Sequence, residues 1–190
     1  MREDLLIRAR IPKNHWDCTL GQIPTNASHL PSLINYTKNI QTLVRDGKGL
    51  YFSNQPGRGK SGAAAVVAKC ALANRFSVTW VEAAMVMEYR NGSYNRDGNP
   101  YIFDDNQTMY ERVETCDLLV LDELYVGTSK NDYYVEKLLR TRIDAKRANI
   151  ITSNMSPQGL RKQYPMLYSV LTEVTEFVSF DPSVNFRPKQ

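Results

Sequence analysis

The segment Gly47 to Gly62, GKGLYFSNQPGRGKSG, joins a short apolar run, a glycine-rich turn and the start of an alanine-rich stretch. A strand that ends in such a turn surrounds a phosphate with backbone N–H groups, and the next helix N-terminus adds partial positive charge. In this pattern Lys60 reaches the β- and γ-phosphates, and Ser61 is a ligand of Mg²⁺. Asn54 replaces the first glycine of the full pattern, and asparagine tolerates a positive φ well. The sequence therefore predicts a site for a nucleoside triphosphate and Mg²⁺. The predicted contacts are Asn54, Pro56, Gly57, Arg58, Gly59, Lys60, Ser61 and Gly62.

Two further apolar runs end in polar side chains that suit the same chemistry. CDLLVLDEL ends in Asp122 and Glu123, for which we predict a role at Mg²⁺ and as general base for the attacking water. NIITSN ends in Asn154, which would orient that water if its strand is adjacent. The alternatives are a buried strand that merely ends in a charged turn, and an asparagine that caps the turn before Pro157.

The remaining pattern alternates strands with helices, which indicates an α/β fold with a parallel sheet. Ligands of such sheets bind at the carboxyl ends of the strands. The predicted strands are Gly49–Ser53, Phe76–Val81, Asp117–Leu121, Asn149–Thr152 and Val174–Phe180. The predicted helices are 1–10, 30–45, Lys60–Asn74, Glu82–Tyr89, Gln107–Thr115, Asp132–Lys146 and Pro157–Gln163, and residues 90–105 are predicted to be an exposed loop.

Length and composition are those of one ordinary globular domain. The chain has 190 residues, 42% hydrophobic content and a formal net charge of +4, a basic excess that permits nucleic-acid binding without requiring it. No apolar run reaches the ~20 residues of a membrane span, and the start lacks a signal-peptide pattern. We therefore expect a cytoplasmic protein with no membrane partner. The three widely spaced cysteines favour neither disulfides nor zinc.

Taken together, these motifs resemble the helicase-loader ATPases of the DnaC/IstB family of the AAA+ superfamily. The resemblance runs from about Ile11 to Arg187 through IPKNHWDCTL, the phosphate loop, LLVLDELYVGT, ANIITSNMSP and NFRP. It implies an AAA+ core with a five-stranded parallel sheet flanked by helices and no separate lid domain, over residues 11–190. It also implies Glu123 and Asp122 as the Walker B pair, Asn154 as sensor 1 and Arg187 as sensor 2. Ile11 and Pro12 would lie near the adenine.

The resemblance implies ATP or ADP as the nucleotide, with single-stranded DNA and a replicative helicase as partners and ATP-dependent self-association. Residues 1–10 are a candidate helicase-docking helix, or simply a frayed terminus. Basic and aromatic residues suited to single-stranded DNA occur at Tyr89, Arg90, Tyr94 and Arg96, although ordinary loops carry them too.

One departure from the family concerns hydrolysis. The family's loaders carry an arginine ahead of the last strand, whereas this chain has Val170 there and no arginine from Gln163 to Phe186. We therefore expect weak ATPase activity unless Arg140, Arg142, Arg161 or a partner supplies the arginine. The alternatives to a loader are a nucleotide-binding adaptor or inhibitor of the helicase, and an IstB-like transposition helper.

Overall fold

The computed structural model describes residues 2–91, 108–125 and 129–180. In these residues five strands form one sheet, in which every pairing is parallel. The strands are β1 (Gly49–Ser53), β2 (Val78–Glu82), β3 (Leu118–Leu124), β4 (Ala148–Ser153) and β5 (Thr175–Ser179). Their order across the sheet is β2-β3-β4-β1-β5, so the predicted five-stranded parallel α/β fold is confirmed.

Helices cover both faces of the sheet. They are α1 (Glu3–Arg8), α2 (Leu30–Lys38), α3 (Ile40–Arg45), α4 (Lys60–Ala73), α5 (Val86–Asn91), α6 (Met109–Thr115), α7 (Ser129–Asp144), α8 (Pro157–Gln163) and α9 (Pro165–Val174). Alternate side chains of a strand point to opposite faces, so each strand contributes to two apolar layers. Leu50 and Phe52 pack with α2, α3 and α4, whereas Tyr51 packs on the opposite face with α7, α8 and α9.

Local signals explain several helix starts. Thr108 and Glu111 form a reciprocal capping box at α6, and Ser156 caps α8 with Pro157 in its first turn. The alanines of α4 leave room for close contact with the sheet, and Ala64, Ala65, Ala68 and Ala71 are fully buried. Gly49 of β1 also meets a close neighbour, since an added Cβ would lie 2.1 Å from the carbonyl oxygen of Asn149.

The predicted elements differ from the structure in a few places. The predicted helix over 30–45 is two helices that meet at Asn39, and β3 continues three residues beyond the predicted Leu121. Helix α9 was not predicted, because its apolar and β-branched residues run directly into β5 without a break. The short 3₁₀ turns Lys13–His15, Leu20–Gln22 and Ala83–Met85 were also not predicted.

Arg142 of α7 is the largest fully buried side chain among the described residues. Its Nε donates to Oδ1 of Asn149 at 2.7 Å, and its Nη atoms donate to main-chain carbonyls in the last turn of α6, of Cys116 just after α6 and of Ala148 in β4. These bonds tie α7 to the amino-terminal end of the sheet. Arg142 therefore does not face a neighbouring subunit's nucleotide.

Candidate nucleotide-binding site

The turn after β1 has the backbone that a phosphate-binding loop requires. Asn54, Gly57 and Gly59 have φ of 115°, 80° and 83°, in the left-handed half of the map. The Asn54 side chain also holds the loop, because its Nδ2 donates to the Phe180 carbonyl and its Oδ1 accepts from the N–H of Gln55. Asparagine thus occupies the first glycine position of the pattern with its own hydrogen bonds.

Lys60 begins α4 and joins the loop to the end of β4. Its Nζ donates to the carbonyls of Asn54 and Gln55 at 2.6 and 2.9 Å, and to Oδ1 of Asn154 at 2.9 Å. Burial lowers the pKa of Lys60 to about 8, although the charges of Asp122 and Glu123 oppose this shift. The structure thus brings together Lys60 and Asn154, two residues predicted for the site from separate motifs.

Asp122 lies 7% exposed near the end of β3, beside the start of α4. Its Oδ1 accepts hydrogen bonds from Ser61 Oγ at 2.9 Å and from Thr152 Oγ1 at 2.5 Å. A carboxylate next to a hydroxyl is a pair of hard oxygen donors, which Mg²⁺ prefers while it keeps water and phosphate oxygens in its remaining positions. These residues fit Mg²⁺, and Ser61 and Asp122 would hold it.

Thr152 was missed by sequence reasoning. Its hydroxyl also accepts from the N–H of Glu123 at 2.9 Å, so one side chain of β4 contacts both acidic residues of β3. The sequence signal for Thr152 was weak, because threonine is common in strands and nothing in NIITSN distinguishes Thr152 from its neighbours.

The two adjacent carboxylates face different surroundings because β3 contains a bulge. The pairing with β4 advances three residues on β3, from Leu121 to Leu124, against two on β4. Within the bulge Glu123 has φ of 55°, and it is exposed and lines the cavity, whereas Asp122 is buried. The bulge therefore separates a buried acid, which accepts a hydrogen bond from Ser61, from one that faces the cavity.

A cavity of about 760 Å³ lies over the phosphate loop. Its far wall comes from the segment after α1 and contains Asn14, His15, Cys18, Thr19, Gln22, Ile23 and His29. Lys69 of α4 holds this wall by donating to the carbonyls of His15, Trp16 and Cys18. Burial lowers the pKa of His15, which favours its neutral ring.

The placement of Ile11 and Pro12 near the adenine stays a prediction. Ile11 is 3% exposed and packs in the core, and its carbonyl accepts from Trp16 Nε1 at 2.8 Å. In this segment of the described chain, the residues that line the cavity begin at Asn14. Ile11 and Pro12 thus lie just before the cavity wall in the sequence.

Tyr89 and Arg90, predicted for DNA contact, belong to a basic-aromatic cluster of Arg10, Tyr89, Arg90, Tyr110 and Tyr134. Arg10 lies over the Tyr89 ring and donates to its hydroxyl at 3.0 Å. Arg90 lies 5.4 Å from the Tyr110 ring centre and 5.0 Å from that of Tyr134. The other predicted residues Tyr94, Arg96 and Arg187 lie outside the described residues.

The parallel sheet and the loop after β1 together define an α/β domain with a candidate nucleotide-binding site of P-loop type. No family model matches the sequence, and no curated protein matches it. Among solved structures, the chain is similar to the DnaC helicase loader with a TM-score of 0.71 and 20% identity, over 90% of this chain and 100% of that one. It is similar to DnaI with a TM-score of 0.72 and 16% identity, over 93% of this chain and 94% of that one.

A third similar structure is the replication initiator DnaA bound to AMPPCP and single-stranded DNA. The TM-score is 0.65 at 17% identity, and the match covers 90% of this chain and 51% of that one. The chain therefore shares the fold of the DnaC helicase loader, DnaI and DnaA, and this agrees with the fold that the resemblance predicted. No helix in the described part of the chain is long and apolar enough to cross a membrane.

Proposed function

We propose that this protein is an ATP-binding helicase loader of DNA replication, which binds single-stranded DNA and delivers or remodels a replicative helicase. The observation that carries the proposal is the pair of contacts Lys60–Asn154 and Ser61–Asp122 at one edge of the sheet. These are the groups that bind phosphate, orient water and hold Mg²⁺. The fold shared with the DnaC helicase loader and DnaI supports the choice of a loader.

The roles of the residues follow from their placement. Lys60 binds the β- and γ-phosphates, and Ser61 and Asp122 would hold Mg²⁺, which would supply neutralising charge for the phosphate oxygens. Glu123 accepts a proton from a water that Asn154 orients. The water oxygen forms a bond to the γ-phosphorus while the bond from that phosphorus to the β,γ-bridging oxygen breaks. The products are ADP and inorganic phosphate. Arg187 is proposed to act as sensor 2.

A second candidate function is a weakly hydrolysing adaptor or inhibitor that occupies the helicase. The observation that favours it is the lack of arginine from Gln163 to Phe186 in the sequence. An arginine supplied to the transition state contributes about 10³ to 10⁵ in rate in nucleotidases that use one. Without such a residue from its own chain or a partner, nucleotide binding would persist while turnover stays low.

The ATPase experiment separates the two candidates. Steady-state hydrolysis is measured with single-stranded DNA, with helicase, with both and with neither, and Lys60→Ala serves as the nucleotide-binding control. A loader is expected to be stimulated by its partners, and Lys60→Ala to lose nucleotide binding and turnover. If the protein binds nucleotide but no combination of partners stimulates its ATP hydrolysis, the proposal of a loader would be overturned and that of an adaptor favoured.

We propose that single-stranded DNA contacts the basic-aromatic cluster at the end of α5, together with Tyr94 and Arg96. Arginines neutralise phosphates there and the tyrosines offer faces for stacking bases. Arg10→Ala with Arg90→Ala is expected to weaken single-strand binding and to reduce the slope of log K against log salt concentration by about 1.4, since each phosphate contact on a single strand contributes about 0.7. Arg45→Ala with Arg75→Ala removes the same charge elsewhere and is the matched control. Equal losses in both pairs would contradict the assignment, and a preference for duplex DNA would favour a transposition helper.

A further inference from the structure

Arg58 lies in the centre of the phosphate-binding loop, between Gly57 and Gly59. Both glycines have positive φ, 80° and 83°, so the backbone turns on either side of Arg58. The Arg58 side chain is half-buried and lines the same cavity as Lys60, Glu123 and Asn154. Arg58 is thus a second cationic side chain, beside Lys60, in the lining of this cavity.

Arg58 lies two residues before Lys60 in the loop, and both cationic side chains line the same cavity. The Nη2 of Arg58 lies 3.4 Å from Oε1 of Gln55, an exposed side chain at the start of the same loop. Two cationic side chains that line one cavity favour an anion of high charge there, such as a triphosphate.

The other arginines considered for this role are placed less favourably. Arg142 is fully buried and bonded to main-chain carbonyls, and Arg140 pairs with Glu136 at 3.0 Å on α7. Arg161 is exposed on α8 and is not among the residues that line the cavity. Among the described arginines, Arg58 alone lines it.

We propose that Arg58 contacts the γ-phosphate of the nucleotide bound in its own subunit, and so supplies in cis the guanidinium that this chain lacks ahead of β5. The inference rests on the proposed ATPase function. A guanidinium presents a rigid fork of donors that suits phosphate oxygens. Arg58 transfers no proton. It stabilises charge on the γ-phosphoryl oxygens while the bond to the β,γ-bridging oxygen breaks and the new bond to water forms.

The first test compares the affinities of AMPPCP and ADP in wild type, Arg58→Ala, Arg58→Lys and the control Arg45→Ala, which lies at the opposite end of the sheet. Arg58→Ala is expected to weaken AMPPCP binding by about 10- to 100-fold, the range of a charge-assisted hydrogen bond. ADP binding is expected to change by less than about threefold, and Arg58→Lys to fall between. Equal losses for both nucleotides would show that Arg58 only shapes the loop, and would overturn the proposal.

The second test asks in which subunit the arginine acts. Arg58→Ala protein is mixed with an excess of Lys60→Ala protein, which keeps Arg58 but lacks the phosphate lysine. An arginine that acts in cis predicts no recovery of hydrolysis in the mixture. Recovery would show that Arg58 acts on a neighbouring subunit and would overturn the proposal. Wild-type protein that binds neither nucleotide would instead refute the proposed ATPase, so the two failures are distinguishable.

Discussion

At the scale of single residues, Lys60 shows how burial changes a functional charge. Its ammonium lies 8% exposed among two carbonyls and one amide oxygen, and its pKa falls to about 8 from the ordinary value of 10.5. A bound triphosphate favours the charged form, so binding takes up a proton whenever the free protein has lost it. We therefore expect nucleotide affinity to fall as the pH rises above the pKa of Lys60.

We expect ATP affinity to be constant from about pH 7 to about pH 8 and to fall by up to about tenfold per pH unit above that. Below the pKa both the free and the bound protein hold the proton, whereas above it only the complex does. Titrations with a fluorescent nucleotide at each pH measure this. Lys60→Arg keeps its charge throughout and should show no such decline. A wild-type affinity that stays constant to about pH 10 would contradict the assignment.

Arg142 is a charged residue whose contacts stabilise the fold. Its guanidinium has no carboxylate among the partners that accept its hydrogen bonds, and desolvation lowers its pKa. Buried acceptors that lose their donor cost about 1–3 kcal/mol each.

Arg142→Met is therefore expected to lower the free energy of unfolding by about 3 kcal/mol or more, because several buried carbonyls lose their donor together. Urea denaturation measures the change. Arg140→Met breaks the Arg140–Glu136 pair, the ion pair that Arg140 makes within the described part of the chain, and should cost less than about 1 kcal/mol. A similar cost for both variants would contradict the structural role of Arg142.

At the scale of elements, the site depends on how β3 and β4 are paired. The bulge in β3 allows Thr152 of β4 to bond both the Asp122 carboxylate and the Glu123 N–H. Mutation of a group that orients a metal ligand in this way typically lowers metal affinity or activity by about 10- to 100-fold. The threonine hydroxyl thus couples strand register to the chemistry.

Thr152→Val keeps the shape of the side chain but removes the hydroxyl, and we expect Mg²⁺-dependent hydrolysis to fall by about 10- to 100-fold. The affinity for ADP without Mg²⁺ should remain, because the phosphate loop is unchanged. Thr152→Ser restores the hydroxyl and should recover most of the rate. Loss of rate in the serine variant equal to that in the valine variant would assign Thr152 to packing instead.

At the scale of the whole molecule, helix α1 has one side chain in the core and others exposed to solvent. Leu6 is buried, whereas Leu5 and Ile7 are 37% and 59% exposed. The segment after α1 is anchored, since the N–H of Trp80 in β2 donates to the carbonyl of Ala9 at 2.8 Å. A short helix fixed to the core with apolar residues outward suits the proposed role in docking to a helicase.

Leu5→Asp with Ile7→Asp is expected to abolish stimulation of the ATPase by helicase and to leave nucleotide affinity and thermal stability within error of wild type. Exposed positions tolerate such changes because little packing is lost. Met166→Asp on α9, another exposed apolar residue, is the control and should keep stimulation. If the double variant is stimulated like wild type, helicase contact uses another face of the molecule.

The sequence alone predicted several features that are marked within a few contiguous residues. The bounds of β1 and α8 agree with the structure at both ends, and the start of α4 at Lys60 agrees as well, since glycine, proline and capping residues mark those positions locally. The phosphate loop was predictable for the same reason, because its chemistry lies in a run of adjacent residues. Arg187, Tyr94 and Arg96 remain predictions from the sequence.

Only the tertiary structure decided how distant segments meet. The sheet order β2-β3-β4-β1-β5 places β4 between β1 and β3, which brings Asn154 to Lys60 and Thr152 to Asp122. The same packing buried Arg142 and left Arg58 lining the cavity. Local patterns carry no information about which strands become neighbours, because pairing depends on the burial of whole faces and not on any single run of residues.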